Sequence, residues 1–317
     1  MSTSSSSVIV RGMTEDDLTD ADRIMRQAFG TYLGMPDPLA FMGDAAYVSH
    51  RWHADPSAAF SADVDGTLAG SNFATTWGSF GFFGPLSVHP DFWQRGVAKP
   101  LIAAVLDCFQ TRGVISSGLY TFANSGKHVA LYQKFGYWPQ HLIALISRPV
   151  KRAEARPITT FSSMRSEERS ALLSEMRALT SSIHDGLDVT SEVTSVEAQR
   201  LGDTVTVFDG SSLAGFAICH DGPGTEAGTG TCYMKFGAVR SGQSSPTQFE
   251  NLLSACDGYA LSRGATKLTG GVNTARELVY RQILASGFTI DRLGVSMVRP
   301  ADGGYNRRDA FVVDDWR

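Results

Sequence analysis

The sequence predicts an α/β protein in two domains, 1–150 and 157–317, each a mixed, mostly antiparallel sheet flanked by helices. Three observations carry this. Asp65-Gly66 and Asp209-Gly210 stand between runs rich in apolar and β-branched residues, the pattern of two-residue hairpins. Residues 81–113 read as a strand, a tight polar turn and an amphipathic helix. The order of hairpin, helix and asparagine turn then occurs a second time, after a proline-bounded stretch at 149–157 that reads as a linker.

Composition narrows the class. A chain of 317 residues, 43% hydrophobic and 19% charged, can bury the cores of two globular domains. A net charge of −4 with no basic run argues against a nucleic-acid partner. Cys108, Cys219, Cys232 and Cys256 are scattered without metal-binding spacing, so they read as small core residues in a reducing compartment. No apolar run is long enough to span a bilayer. The serine-rich start lacks an apolar signal core and reads as disordered. The expectation is a cytoplasmic protein, monomer or homodimer, with no membrane partner.

In chain order, residues 8–11 form a strand, and Thr14 with the acids after it caps a helix carrying Leu18, Ile24, Met25 and Phe29. Pro36 and Pro38 interrupt, and a second helix is expected over 41–52. A hairpin follows at 58–77, then a strand at 82–88. Pro85 cannot donate a backbone hydrogen bond, so pairing should fail around Gly84-Pro85 and leave main-chain groups for a ligand. The next helix starts near Gly96, buries Val97, Leu101, Ile102, Val105, Leu106 and Phe109, takes Pro100 in its first turn and stops at Gly113. A strand at 114–122, a turn at Asn124, a helix at 128–135 and a strand at 137–147 complete the first copy. The second has strands at 158–161, 204–208, 213–219, 231–239 and 267–269, and helices at 166–179, at 247–262 and after Asn273. Residues 310–317 read as an ordered strand docked on the body.

Chemistry concentrates in the first copy. At Gln94-Arg95-Gly96-Val97-Ala98-Lys99 a glycine and a small alanine let a ligand approach the backbone. The helix start behind them offers unpaired N–H groups and a positive dipole end, and Arg95 and Lys99 add charge. A pyrophosphate fits such a turn. The run Val-x-Pro, a short spacer, Gln-Arg-Gly-x-Ala and an amphipathic helix resembles the acetyl-CoA pyrophosphate loop of the GNAT N-acetyltransferases. That family's pattern is Gln/Arg-x-x-Gly-x-Gly/Ala; here Trp93 stands at its first position and Gln94 at the next, so the backbone carries the match. Residues 122–137 resemble the family segment in which an asparagine follows the fifth strand and Ala-Leu-Tyr-x-x-x-Gly-Phe/Tyr follows on a helix.

The resemblance implies acetyl-CoA as acyl donor and a primary amine as acceptor, with no metal; the lack of an obvious acidic or basic docking surface favours a small-molecule amine over a protein lysine. The resemblance also implies that Leu86, Ser87 and Val88 pair with the pantetheine arm, that the Val88 N–H polarises the thioester carbonyl, and that Asn124 bonds the arm. Tyr132 would protonate the departing thiolate. No carboxylate base stands on the strand, where Phe80, Phe82 and Phe83 occupy the positions. Asp37 and Asp44 are weak candidates, His89 reads as scaffolding, and His50 and His53 have no third ligand. The missing base keeps a rival open, an acyl-CoA-binding regulator without turnover; Tyr132 speaks against it. In the second copy Arg240 to Pro246 replaces the turn and Tyr280 lies seven residues before Gly287, where Tyr132 lies four before Gly136, so that copy is expected to bind acetyl-CoA poorly or not at all.

Overall fold

The computed structural model describes residues 7–151, 158–300 and 304–317, so the serine-rich start and most of the linker lie outside the described residues. The chain forms two compact bodies. The first holds the chain to Thr76, Gly81–Val114 and Arg317; the second holds Trp77–Phe80 and Ile115–Trp316. The sequence division near residue 150 separates two similar runs of elements, whereas the compact bodies follow contacts and divide the chain elsewhere.

In the first body β1 (Val8–Gly12), β2 (Ala59–Val64) and β3 (Thr67–Trp77) are antiparallel neighbours, followed by β4 (Phe80–Phe83), whose first residue counts with the second body. The short β5 (Ser87–Val88) pairs with β3. The Asp65-Gly66 turn has positive φ at both positions, as a two-residue hairpin requires. On one face α1 (Leu18–Tyr32) buries Ile24 and Met25, and Met25 packs with Phe73 and Val48. On the other, α3 (Ala98–Thr111) buries Leu101, Ile102, Val105 and Phe109, with Pro100 in its first turn and Gly113, at φ 69, just past its end. The second helix is shorter than expected. Met42 and Gly43 take left-handed φ and break the run, so α2 covers only Val48–Ala54.

In the second body the strands on either side of the linker interleave. β6 (Ser116–Phe122) pairs with β13 (Thr289–Arg299), β13 with β7 (Trp138–Pro149), and β7 with β12 (Lys267–Asn273), all antiparallel. The order continues through β11 (Gly228–Val239), β10 (Ser212–Gly222), β9 (Gly202–Asp209) and β8 (Thr159–Thr160). A buried bidentate pair, Arg148 to Asp257 at 2.8 and 2.7 Å, ties β7 to α7 (Ser245–Ser262). Between α7 and the sheet lies a core that includes Cys219, Cys232 and Cys256, all free thiols, as their scatter implied. Two helices frame the turns of this body, α4 (Gly126–Gln133) and α8 (Glu277–Ala285). Helix α5 runs longer than read, over Ser166–Ile183. Helix α6 (Thr190–Ala198) and strand β13 were not foreseen. The first is rich in Thr and Ser, poor helix formers, and is held by burial of Val193 and Val196. The tail forms β14 (Val312–Asp314), buried and antiparallel to β11. Among the described residues no helix is long and apolar enough to cross a membrane.

Candidate functional site

The strand expected over 82–88 is broken where proline placed the break. β4 ends at Phe83, the Gly84 N–H donates to the Phe73 carbonyl at 2.9 Å, and pairing resumes at Ser87. The register then decides which main-chain groups face outward. Gly70 opposes Val88, Ser71 opposes Ser87, and the His89 N–H donates to the Ala69 carbonyl at 2.8 Å. Because N–H and C=O of one residue share a side and alternate along a strand, Ser87 faces β3 while Leu86 and Val88 turn to the other edge. Of the three residues read as the pantetheine edge, Ser87 thus presents its backbone inward. Its buried hydroxyl and that of Ser71 opposite accept or donate no protein hydrogen bond. Gly70 is a structural requirement: a Cβ there would lie 2.4 Å from the Ser87 carbonyl oxygen.

Two side chains that sequence reasoning passed over hold this break. Arg51 of α2 donates from Nη1 to the Gly84 carbonyl and from Nη2 to the carbonyl of Arg317. It sits three residues after buried Val48, on the inward face of the helix, and that spacing was the signal available. The Trp93 indole N–H donates to the Val88 carbonyl at 2.7 Å, so the residue that departs from the family pattern fixes the strand instead.

Gln94 and Gly96 both take positive φ, 65 and 83, and nothing stands within 4 Å of where a Gly96 Cβ would be, so the backbone is open to a ligand. Val97 is buried among Val64, Ala69 and Leu101 and anchors the turn to the core. Ala98 begins α3, in whose first turn the Lys99 N–H donates to the Gly96 carbonyl at 3.3 Å and Pro100 carries no N–H. Arg95 lies over the Phe92 ring at 5.0 Å and pairs with Asp65 at 3.5 Å, and Lys99 is exposed. The ordering of turn, glycine and helix brings 86–88 and 94–99 together in one body.

Asn124 and Tyr132 belong to the second body, at the turn before α4 and on that helix. Asn124 is exposed. Tyr132 is buried, and burial raises its phenol far above the ordinary tyrosine value, so it stays protonated across all physiological pH. Asn273, the counterpart of Asn124 in the second copy, is a structural residue: its side chain accepts from the Ala275 N–H and donates to Ser296.

The other candidates resolve simply. The His89 ring accepts from the Asp91 N–H at 3.2 Å and caps the Pro90–Phe92 turn. His53 bonds within its own helix to Ser49, and no group of three metal-ligating residues occurs among the described residues. Asp37 caps a one-turn helix through the Leu39 N–H and, like Asp44, is exposed. Trp77 packs edge-on to Phe236, and Phe80 stacks on Tyr305 at 4.5 Å; both are core residues.

Residues 24–137 match the acetyltransferase (GNAT) family. Mycothiol acetyltransferase of Clavibacter sepedonicus is 30% identical over 132 residues, 41% of this chain and 42% of that protein, so the match spans less than half of the relative. A putative acetyltransferase from Pyrococcus horikoshii superposes with a TM-score of 0.70 at 14% identity, over 98% of this chain and 95% of that one. A GCN5-related N-acetyltransferase from Sphaerobacter thermophilus gives 0.59 at 16% identity, over 92% and 95%. At such identities the likeness is one of fold. The chain carries a GNAT acetyltransferase domain, and its mixed α/β architecture is that of the GNAT fold.

Proposed function

We propose that the protein transfers the acetyl group of acetyl-CoA to a primary amine of a small molecule, by direct attack in a ternary complex. The observation that carries this reading is the broken strand followed by the open left-handed turn at Gly96. Backbone donors from Gln94 to Lys99 hold the pyrophosphate, with Arg95 and Lys99 adding charge. The outward edge of Leu86 and Val88 pairs with the pantetheine amides like an added strand, and Asn124 bonds the same arm. The Val88 N–H then steadies the oxyanion. The amine nitrogen attacks the thioester carbon, the C–S bond breaks, and the thiolate takes the Tyr132 phenolic proton while the ammonium loses its own to solvent. The domain that does this is the first of two tandem copies, in a cytoplasmic protein, and the second copy takes acetyl-CoA poorly or not at all.

One observation favours the rival, a regulator that binds acyl-CoA without turnover: Phe80, Phe82 and Phe83 leave the strand without any base. Calorimetric titration of acetyl-CoA tests the common ground. One site is expected, abolished in Gly96→Glu, which puts a strained, negatively charged side chain where phosphate should lie. No binding would remove both readings, and two sites would overturn the closed second copy.

A further inference from the structure

The second copy repeats the first at the level of individual hydrogen bonds. Leu68-Ala69-Gly70 and Leu213-Ala214-Gly215 open equivalent strands. Gly70 opposes Val88 and Gly215 opposes Val239; Ser71 opposes Ser87 and Phe216 opposes Ala238. The His89 N–H donates to Ala69 and the Arg240 N–H to Ala214, each at 2.8 Å. Both glycines meet the facing strand at a distance no side chain allows, 2.4 Å to the Ser87 carbonyl oxygen and 2.8 Å to that of Ala238. Val239 therefore stands where Val88 stands, and Gly237 where Leu86 stands. By strand alternation Gly237 and Val239 turn their main-chain groups to the edge away from β10.

That edge is occupied by the chain itself. β14 lies antiparallel along it, with Phe236 opposite Asp314, Gly237 opposite Val313 and Ala238 opposite Val312, and the Val239 N–H donates to the Phe311 carbonyl at 3.2 Å. A clasp of buried side chains holds the strand down. Arg276 donates to both Asp314 oxygens, at 2.8 and 3.3 Å, and to the Val312 carbonyl at 3.2 Å. Tyr305 donates to Asp314 at 2.5 Å, and Tyr233 to Asp315 at 3.0 Å. Arg276 comes from the turn Asn273-Thr274-Ala275-Arg276, the counterpart of the Asn124 turn read as a pantetheine contact.

We propose that Val312–Asp314 is a built-in occupant of the second copy's ligand edge, a peptide strand seated where an acyl-CoA would lay its bis-amide pantetheine arm, and that this edge accepts the arm once the tail is loosened. The inference rests on the assignment of Leu86 and Val88 to the arm in the first copy. It makes the closure of the second copy a matter of occupancy. The turn Arg240 to Pro246 closes the phosphate end in its own way: the Ser245 hydroxyl bonds the Arg240 and Gly242 carbonyls, and the arm-binding edge persists beneath the tail.

Hydrogen exchange of single amides in the full-length protein tests this. In the wild type, saturating acetyl-CoA should slow exchange at Leu86 and Val88 and leave Gly237 and Val239 unchanged. Tyr305→Phe removes one hydrogen bond to a charged group and should speed exchange at Gly237 and Val239 about tenfold or more. In that variant acetyl-CoA should now slow those two amides as well. Slowing at Gly237 and Val239 in the wild type, unchanged exchange in Tyr305→Phe, or fast amides that acetyl-CoA leaves fast would each overturn the proposal. If Tyr305→Phe fails to fold, Tyr233→Phe loosens the clasp from its other carboxylate and is read the same way. Loss of the effect at Leu86 and Val88 alone would instead remove the acetyl-CoA reading of the first copy.

Discussion

Two strand edges in this molecule share their sequence opening, their register and their glycine contacts, yet one faces a predicted ligand and the other faces the chain's own tail. At Leu86 and Val88 a proline break and an open glycine turn leave the edge for an extended partner. At Gly237 and Val239 a buried Arg–Asp–Tyr clasp supplies that partner in cis. A main-chain edge need not be closed by mutation of its contact residues. Backbone contacts cannot be mutated away, so covering them is the simpler route.

The comparison can be broken at three places. The largest effect is expected at Tyr132, the proposed acid. Tyr132→Phe should lower kcat by about 10²- to 10⁴-fold, the usual worth of a positioned acid, with acetyl-CoA affinity unchanged. Unchanged turnover would leave the non-catalytic reading. Next comes Arg276→Met. It strands the buried Asp314 carboxylate without its cation, a loss of about 3–5 kcal/mol and hence a Tm lower by about 10 °C in thermal melts. A Tm within a degree or two of the wild type would mean that the clasp does not hold the tail.

The smallest effect concerns alkaline pH. Burial raises the Tyr137 phenol from the ordinary value of 10.0 to about 12, with its hydroxyl bonded to Ser117 at 2.7 Å. The folded pKa lies above the unfolded one, so this contribution is complete below pH 10 and is lost as pH rises toward 12, roughly 2–3 kcal/mol in all. Tyr137→Phe should flatten the fall of stability between pH 10 and 12, measured by denaturant titration, by about one proton's slope. An identical slope would place the alkaline sensitivity in other buried phenols such as Tyr305, whose pKa burial also raises.

Local signals were read where local physics decides. Proline at 85 broke the strand, Gly113 ended its helix, and Asp65-Gly66 made its hairpin, while the second hairpin turns one residue later than read, at Gly210-Ser211, with Asp209 paired to Ser212. The turn at Gly96 was legible because left-handed backbone and close ligand approach both demand a residue without Cβ. The helix expected at 41–52 failed in its first half, since apolar periodicity does not register a Met-Gly pair in left-handed φ. Arg51 and Trp93 were missed because their value lies in which carbonyl each reaches, a distance in space rather than in sequence.

By itself the sequence determined most of the elements and their order, the repeated hairpin pattern and the left-handed turn at Gly96, since each depends on residues within a few positions of one another. Only the tertiary structure decided that β13 runs between β6 and β7, and that β14 lies on β11 and covers the second edge. Any strand with the right alternation satisfies an open edge equally well. Which one does so is settled by the chain's path and by the buried side chains that lock it, and neither leaves a periodic trace.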